Sequence, residues 1–231
     1  MTDLTALKAA NAKRWANAKL TRNFSSVARA LVAAKQRYVT VQAKAGVPWY
    51  FIAVVHEREA SQNWDTHLGQ GDPLHAPTRH IPSEPAFNTW EEGAYDALVN
   101  CGPYAARNKD WSIGGLLTML EEYNGLGYFS RGLPSPYIWS GTDQYKSGKY
   151  VRDGVFDRNA IDVQLGCAGL LMAMMALDPT ITFTGATITP VVPKTGTAPA
   201  PSITNPAKGS LGAAIASLVS AILSIFKPKG K

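Results

Sequence analysis

Residues 48–59 read PWYFIAVVHERE, and the choice of fold turns on them. Proline suits the first turn of a helix, where its missing N–H is not needed. Behind it, Trp49 to Val55 is an unbroken apolar run, too apolar to lie on a surface. The run therefore predicts a central buried helix. It changes abruptly at His56-Glu57-Arg58-Glu59, so the buried helix ends in carboxylates.

Elements of the same kind flank it. Residues 3–45 are rich in Ala, Leu and Lys, with Leu4, Leu7, Ala10 and then Val27, Leu31, Ala34, Tyr38 at helical spacing. They predict two helices, the second capped by Asn23 or Ser25 and ended by Gly46. After the central helix, residues 63–85 (NWDTHLGQGDPLHAPTRHIPSEP) predict a small, irregular β region between about 64 and 80. Thr89 and Glu92 stand at capping-box spacing and open another helix. Further helices are expected over 112–123 and 162–177, the last stopped by Asp178-Pro179. From Pro179 to Gly209 the text is dominated by Thr, Pro, Gly and Ala, which predicts a linker. The fold class expected is mainly α, an α+β arrangement with a catalytic-looking domain over 1–178. A linker follows over 179–209, and then an apolar C-terminal helix over 210–231.

The 231 residues carry a net charge of +6, which favours polyanionic partners. The basic residues are scattered rather than clustered on one element, which argues against nucleic acid. Cys101 and Cys167 are too few for a disulfide framework and read as two buried thiols, with a single bridge as the alternative. The opening MTDLTALKAANAKRW has no apolar core of signal-peptide length. The C-terminal LGAAIASLVSAILSIF (211–226), followed by KPKGK, places Leu211, Ile215, Leu218, Val219, Ile222, Leu223 and Phe226 on one helical face. That pattern suits contact with a membrane interface.

Glycosidic cleavage needs a proton for the leaving oxygen, and a carboxyl whose pKa is raised by burial can supply it. Glu57, directly after WYFIAVVH, is the first candidate. Glu59 is the rival; two residues on along a helix lies on the opposite face, and the apolar neighbours favour Glu57. A second group could activate water or stabilise the transition state: Asp65, or alternatively Asp72, with Thr66 and His67 positioning water. His56, His67, His75 and His80 match no metal-ligand spacing; HExxH fails because position 60 is Ala. Neither a metal nor a cofactor is expected. Residues 123–154 (YNGLGYFSRGLPSPYIWSGTDQYKSGKYVRDG) are dense in aromatics among glycines and polar residues, a composition suited to the apolar faces of sugar rings. Tyr137 and Trp139 are the sugar contacts expected from it.

These segments together, HEREAS, LGQGDPL and the stretch from EEYNG to RDG, resemble the lysozyme-like peptidoglycan hydrolases of phages, prophages and related bacteria. The resemblance covers about residues 45–170. The apolar helix ending in Glu57 resembles the catalytic helix of lysozymes and lytic transglycosylases. Tyr123-Asn124-Gly125 looks like the segment that lytic transglycosylases place in the cleft. The resemblance implies a lysozyme-like fold, Glu57 as acid, and Tyr123 and Asn124 lining a saccharide site. The implied substrate is the β-1,4 bond between N-acetylmuramic acid and N-acetylglucosamine of bacterial peptidoglycan. The implied setting is lysis, by a protein made in the host cytoplasm without a signal peptide and acting on the wall. The transglycosylase pattern has Ser directly after its Glu; here Arg58 follows and Ser61 comes later, so hydrolysis and transglycosylation both stay open. A non-catalytic wall-binding module and a membrane-active protein are the rival readings.

Overall fold

Helical spacing near the N-terminus yields three helices rather than two. In the computed structural model, which describes residues 4–80 and 83–183, these are α1 (Thr5–Asn17), α2 (Ser25–Ala33) and α3 (Lys35–Ala45). The second expected helix is interrupted at Ala34, whose backbone leaves the helical region at ψ 3°. Asn23 serves the N-terminus of α2 by accepting the Ser25 N–H at 2.9 Å. Gly46 closes α3 at φ +69°, the left-handed conformation that glycine takes without a Cβ penalty.

The apolar run forms α4 (Trp49–Ala60), with ten of its twelve residues buried. Helices α2 and α3 pack against it from the N-terminal side of the chain. Phe51, Ile52, Val54 and Val55 lose all exposure, and burying each stabilises the fold by about 1.5–3 kcal/mol. The chain then crosses residues 61–89 with no sheet among the described residues. The irregular β region expected there amounts to one isolated bridge, Thr66 to Pro73. Polar side chains organise this segment instead: Asp72 takes the Arg79 N–H and His80 Nδ1, and Glu84 meets His67.

Helix α5 (Trp90–Val99) starts on the Thr89–Glu92 capping box, with both reciprocal bonds formed. A single 3-10 turn (Ala105–Arg107) leads to α6 (Ile113–Asn124), capped by Ser112 on the Gly115 N–H. Short helices α7 (Gly127–Ser130) and α8 (Pro136–Trp139) follow within the aromatic stretch. The sheet is there too: β1 (Lys149–Arg152) pairs antiparallel with β2 (Val155–Asp157). Helix α9 (Cys167–Leu177) starts five residues later than expected. Asp162 instead lies before the helix, its carboxylate bound by Arg58 and Lys149, and Gly166 fits against α8 so closely that a Cβ would lie 2.5 Å from the Ile138 carbonyl oxygen.

The chain is thus mainly helical with a small two-stranded sheet. The expected linker start at 179 is too early. Ile181 is buried, Tyr50 Oη donates to the Thr182 carbonyl at 2.7 Å, and Phe183 stacks edge-on with Trp15 and Tyr50. Alternating apolar residues in TITF make this packing possible. The rest of the expected linker and the apolar C-terminal helix lie outside the described residues. No helix among the described residues is long and apolar enough to cross a membrane.

Candidate active site

The C-terminal turn of α4 presents four ionisable residues in succession, and the fold gives each a different environment. His56 is fully buried against Trp64 and Trp90. Its Nε2 lies 3.0 Å from the Asn63 carbonyl, which can only accept, so Nε2 carries the proton and Nδ1 accepts from Tyr38 Oη at 3.0 Å. Burial pushes its pKa down to about 4. His56 is a neutral structural residue.

Arg58 is 6% exposed and points the other way. Its Nη2 pairs with Asp162 at 3.1 Å, its Nη1 donates to the Leu165 carbonyl at 3.1 Å, and its guanidinium lies 4.6 Å from the Tyr137 ring centre. Lys149 of β1 reaches the other oxygen of Asp162 at 3.3 Å. Burial alone would raise the Asp162 carboxyl, but these two cations hold it below its ordinary range. Gln164 completes the anchorage, its amide donating to the Arg58 and Glu57 carbonyls at 2.9 and 3.3 Å. Both acceptors belong to the last turn of α4; the Glu57 carbonyl also takes the Ser61 N–H at 3.0 Å, and the Arg58 carbonyl is among those that a helix end leaves without an intrahelical partner.

The two candidate acids flank this anchor. Glu57 is half-buried, and its Oε2 accepts from Gln62 Nε2 at 2.7 Å. Desolvation raises its pKa against the lowering effects of Gln62 and Arg58. Glu59 is 8% exposed; Tyr137 Oη donates to its Oε1 at 2.8 Å. Burial drives its carboxyl up to about 7, against the Tyr137 bond and Arg58. The enclosure expected for Glu57 therefore belongs more fully to Glu59. Just past the helix, Ser61 and Gln62 both take positive φ, 49° and 59°. Two successive non-glycine residues in that region cost on the order of 1–2 kcal/mol each. The turn they make brings Gln62 back onto Glu57.

Tyr123 ends up beside Glu59. It packs edge-on against Phe51 of α4, and its hydroxyl is buried with no hydrogen-bond partner among the described residues. Burial, and next the charge of Glu59, push its pKa up. Asn124 closes α6 in a half-buried position. Tyr137 and Trp139 are not surface sugar contacts. All four residues of α8 are buried, Trp139 completely, because the helix is wedged between α6 and α9. Tyr137 supports Glu59 instead. Asp65 is exposed on the loop after α4, its backbone carbonyl accepting the Leu74 N–H at 2.9 Å.

The remaining histidines are held separately: His67 by Glu84, His75 by the Phe87 carbonyl, His80 by Asp72. Among the described residues the one grouping of metal-ligand type is Glu84, Asp96 and Cys101. Cys101 and Cys167 are both free. Sequence reading missed Arg58, Asp162, Gln62 and Gln164; each is an ordinary polar residue whose partner lies in another segment or across a strained turn. Comparison with family models, with curated proteins and with solved structures finds no match to this chain.

Proposed function

We propose that this protein is a peptidoglycan-cleaving glycosidase that cuts the β-1,4 bond between N-acetylmuramic acid and N-acetylglucosamine, with a carboxyl at the end of α4 as proton donor. The observation that carries this reading is Glu59: a carboxyl enclosed at the end of a buried helix, raised to about 7, with a tyrosine hydroxyl fixing one oxygen. A general acid works best with a pKa near the operating pH, because it is then both protonated and willing to release the proton. Tyr137 holds Oε1, so Oε2 is the oxygen that would meet the glycosidic oxygen. Strained backbone at Ser61 and Gln62, beside the carboxyls, is the kind of cost that folds retain at working sites. The +6 charge suits an anionic wall. The same reading makes the protein a lysis enzyme of lysozyme-like type.

Glu57 supports a second assignment of the donor, because it is the more exposed of the two and its pKa is also raised. Purified sacculi digested by the wild type, Glu59→Gln and Glu57→Gln separate the cases. The expected result is soluble muropeptides from the wild type, none from a folded Glu59→Gln, and reduced release from Glu57→Gln. Loss confined to Glu57→Gln moves the donor to Glu57. Product mass decides the attacking group: reducing-end products mean water, and products lighter by one water mean the muramoyl 6-hydroxyl. No release by the wild type refutes the reading and leaves a wall-binding module.

A further inference from the structure

The β1–β2 hairpin and the turn after α7 border an open cleft of about 800 Å³, lined in part by Arg131, Leu133, Gly148, Phe156, Asp157 and Arg158. Its chemistry is unlike that of the α4 end. Arg131 is exposed yet held in place: its Nε donates to Tyr150 Oη at 2.8 Å, and its guanidinium lies 4.7 Å from the Phe156 ring centre and 5.4 Å from that of Tyr150. Those rings are themselves locked. Tyr128, Tyr150 and Phe156 pack edge to face, and the Tyr150 N–H donates to Tyr128 Oη at 3.0 Å. Gly148, at φ +98°, lets the chain pass Phe156, whose ring would lie 2.9 Å from an added Cβ. Beyond the Nε bond and the stacking, the two terminal nitrogens of Arg131 have no hydrogen-bond partner among the described residues. Neither Arg131 nor Arg158 has a carboxylate within 4.0 Å among the described residues. A stacked guanidinium with free terminal nitrogens is organised to grip a carboxylate bidentately.

We infer that this cleft binds the peptide stem of the wall polymer through a stem carboxylate, an assignment that rests on the proposed peptidoglycan specificity. Two features select a peptide over a densely charged phosphate polymer. Phe156 and the exposed Leu133 offer apolar surface to aliphatic peptide side chains. Asp157 in the same cleft repels a uniform polyanion and matches an amine, so two cations and one anion suit a zwitterionic chain. The hairpin is also tied to the candidate active site: Lys149 of β1 and Arg58 of α4 share Asp162. A chain seated in the cleft is thereby held in fixed relation to Glu57 and Glu59.

Calorimetric binding of three probes to the full-length chain tests this. They are a disaccharide–peptide with free carboxylates and a free amine, which lacks the scissile bond; a neutral chitooligosaccharide; and poly(glycerol phosphate). The disaccharide–peptide is expected to bind in a salt-sensitive way, weakened about tenfold by Arg131→Ala and by Arg158→Ala, with chitooligosaccharide binding unchanged. Arg158→Ala, on the exposed hairpin, carries the test if Arg131→Ala does not fold. Equal affinity of wild type and Arg158→Ala for the disaccharide–peptide overturns the inference, as does stronger arginine-dependent binding of poly(glycerol phosphate). Failure here with wall digestion intact removes the cleft assignment alone; absence of digestion with arginine-dependent peptide binding removes only the catalytic reading.

Discussion

Replacing Glu59 by Gln tests the environment of the carboxyl independently of any substrate. The carboxyl is 8% exposed and is raised from its ordinary 4.5 to about 7 by desolvation. A carboxyl whose folded pKa exceeds its unfolded value binds its proton more tightly in the fold. Its favourable contribution is therefore complete below pH 4.5 and is lost as pH rises through 4.5 to 7. With each pKa unit equivalent to about 1.4 kcal/mol, the wild type loses about 2–3 kcal/mol between pH 5 and pH 8 from this residue alone. Glutamine keeps the shape and an acceptor for Tyr137 but cannot ionise. Urea unfolding at pH 5 and pH 8 should show Glu59→Gln gaining about 2–3 kcal/mol on the wild type between the two pH values. Glu121, 1% exposed and also raised to about 7, imposes a similar loss, but it is present in both proteins and cancels in the difference. A wild-type-to-variant gap that is the same at both pH values would refute the buried, proton-holding environment claimed for Glu59. If that environment is right and Glu59 is the donor, activity on sacculi also declines on the alkaline side of about pH 7.

Two further outcomes follow from the anchor and the turn. Asp162→Ala leaves Arg58 buried without its carboxylate and should cost about 3–5 kcal/mol in denaturant unfolding; a cost below about 1 kcal/mol means the pair is solvated and does not fix the helix end. Ser61→Gly relieves a positive φ of 49° and should stabilise the protein by on the order of 1 kcal/mol, read as a raised urea midpoint at unchanged slope; a lowered midpoint shows that the turn is not strained.

Local patterns in the sequence predict the helices well where the signal is local. The apolar run behind Pro48, the Thr89–Glu92 box and the glycine at 46 each act within a few residues, and each forms as read. The signals failed where a distant partner decides the conformation. Asp162 looked like the start of a helix, but it lies ahead of one, its carboxylate bound by Arg58 and Lys149, the first of them 104 residues away. The strands missed the predicted loop for a related reason. Residues 64–80 carry the turn residues of a hairpin, yet His67 and Asp72 spend their side chains on Glu84 and His80, while Gly148, Tyr150 and Phe156 supply the packing that a two-stranded ladder needs.

The candidate site shows the same division most sharply. Residues 57 and 59 stand about 200° apart on a helix, so the expectation that they face differently was sound geometry. Apolar neighbours could not tell which face was enclosed, because α4 is buried nearly all round. That choice belongs to Tyr137, which is 78 residues away and reads in sequence as one aromatic among many in a loop. Buried in α8, it aims its hydroxyl at Glu59, while Glu57 is left to Gln62 across a strained turn. A residue taken for a sugar platform thus orients the more deeply buried of the two helix-end carboxyls, while burial, acting against that bond, holds the carboxyl in the protonated range. Within the aromatic stretch and the hairpin after it, the half-buried Tyr150 and Phe156 rings already carry the Arg131 guanidinium.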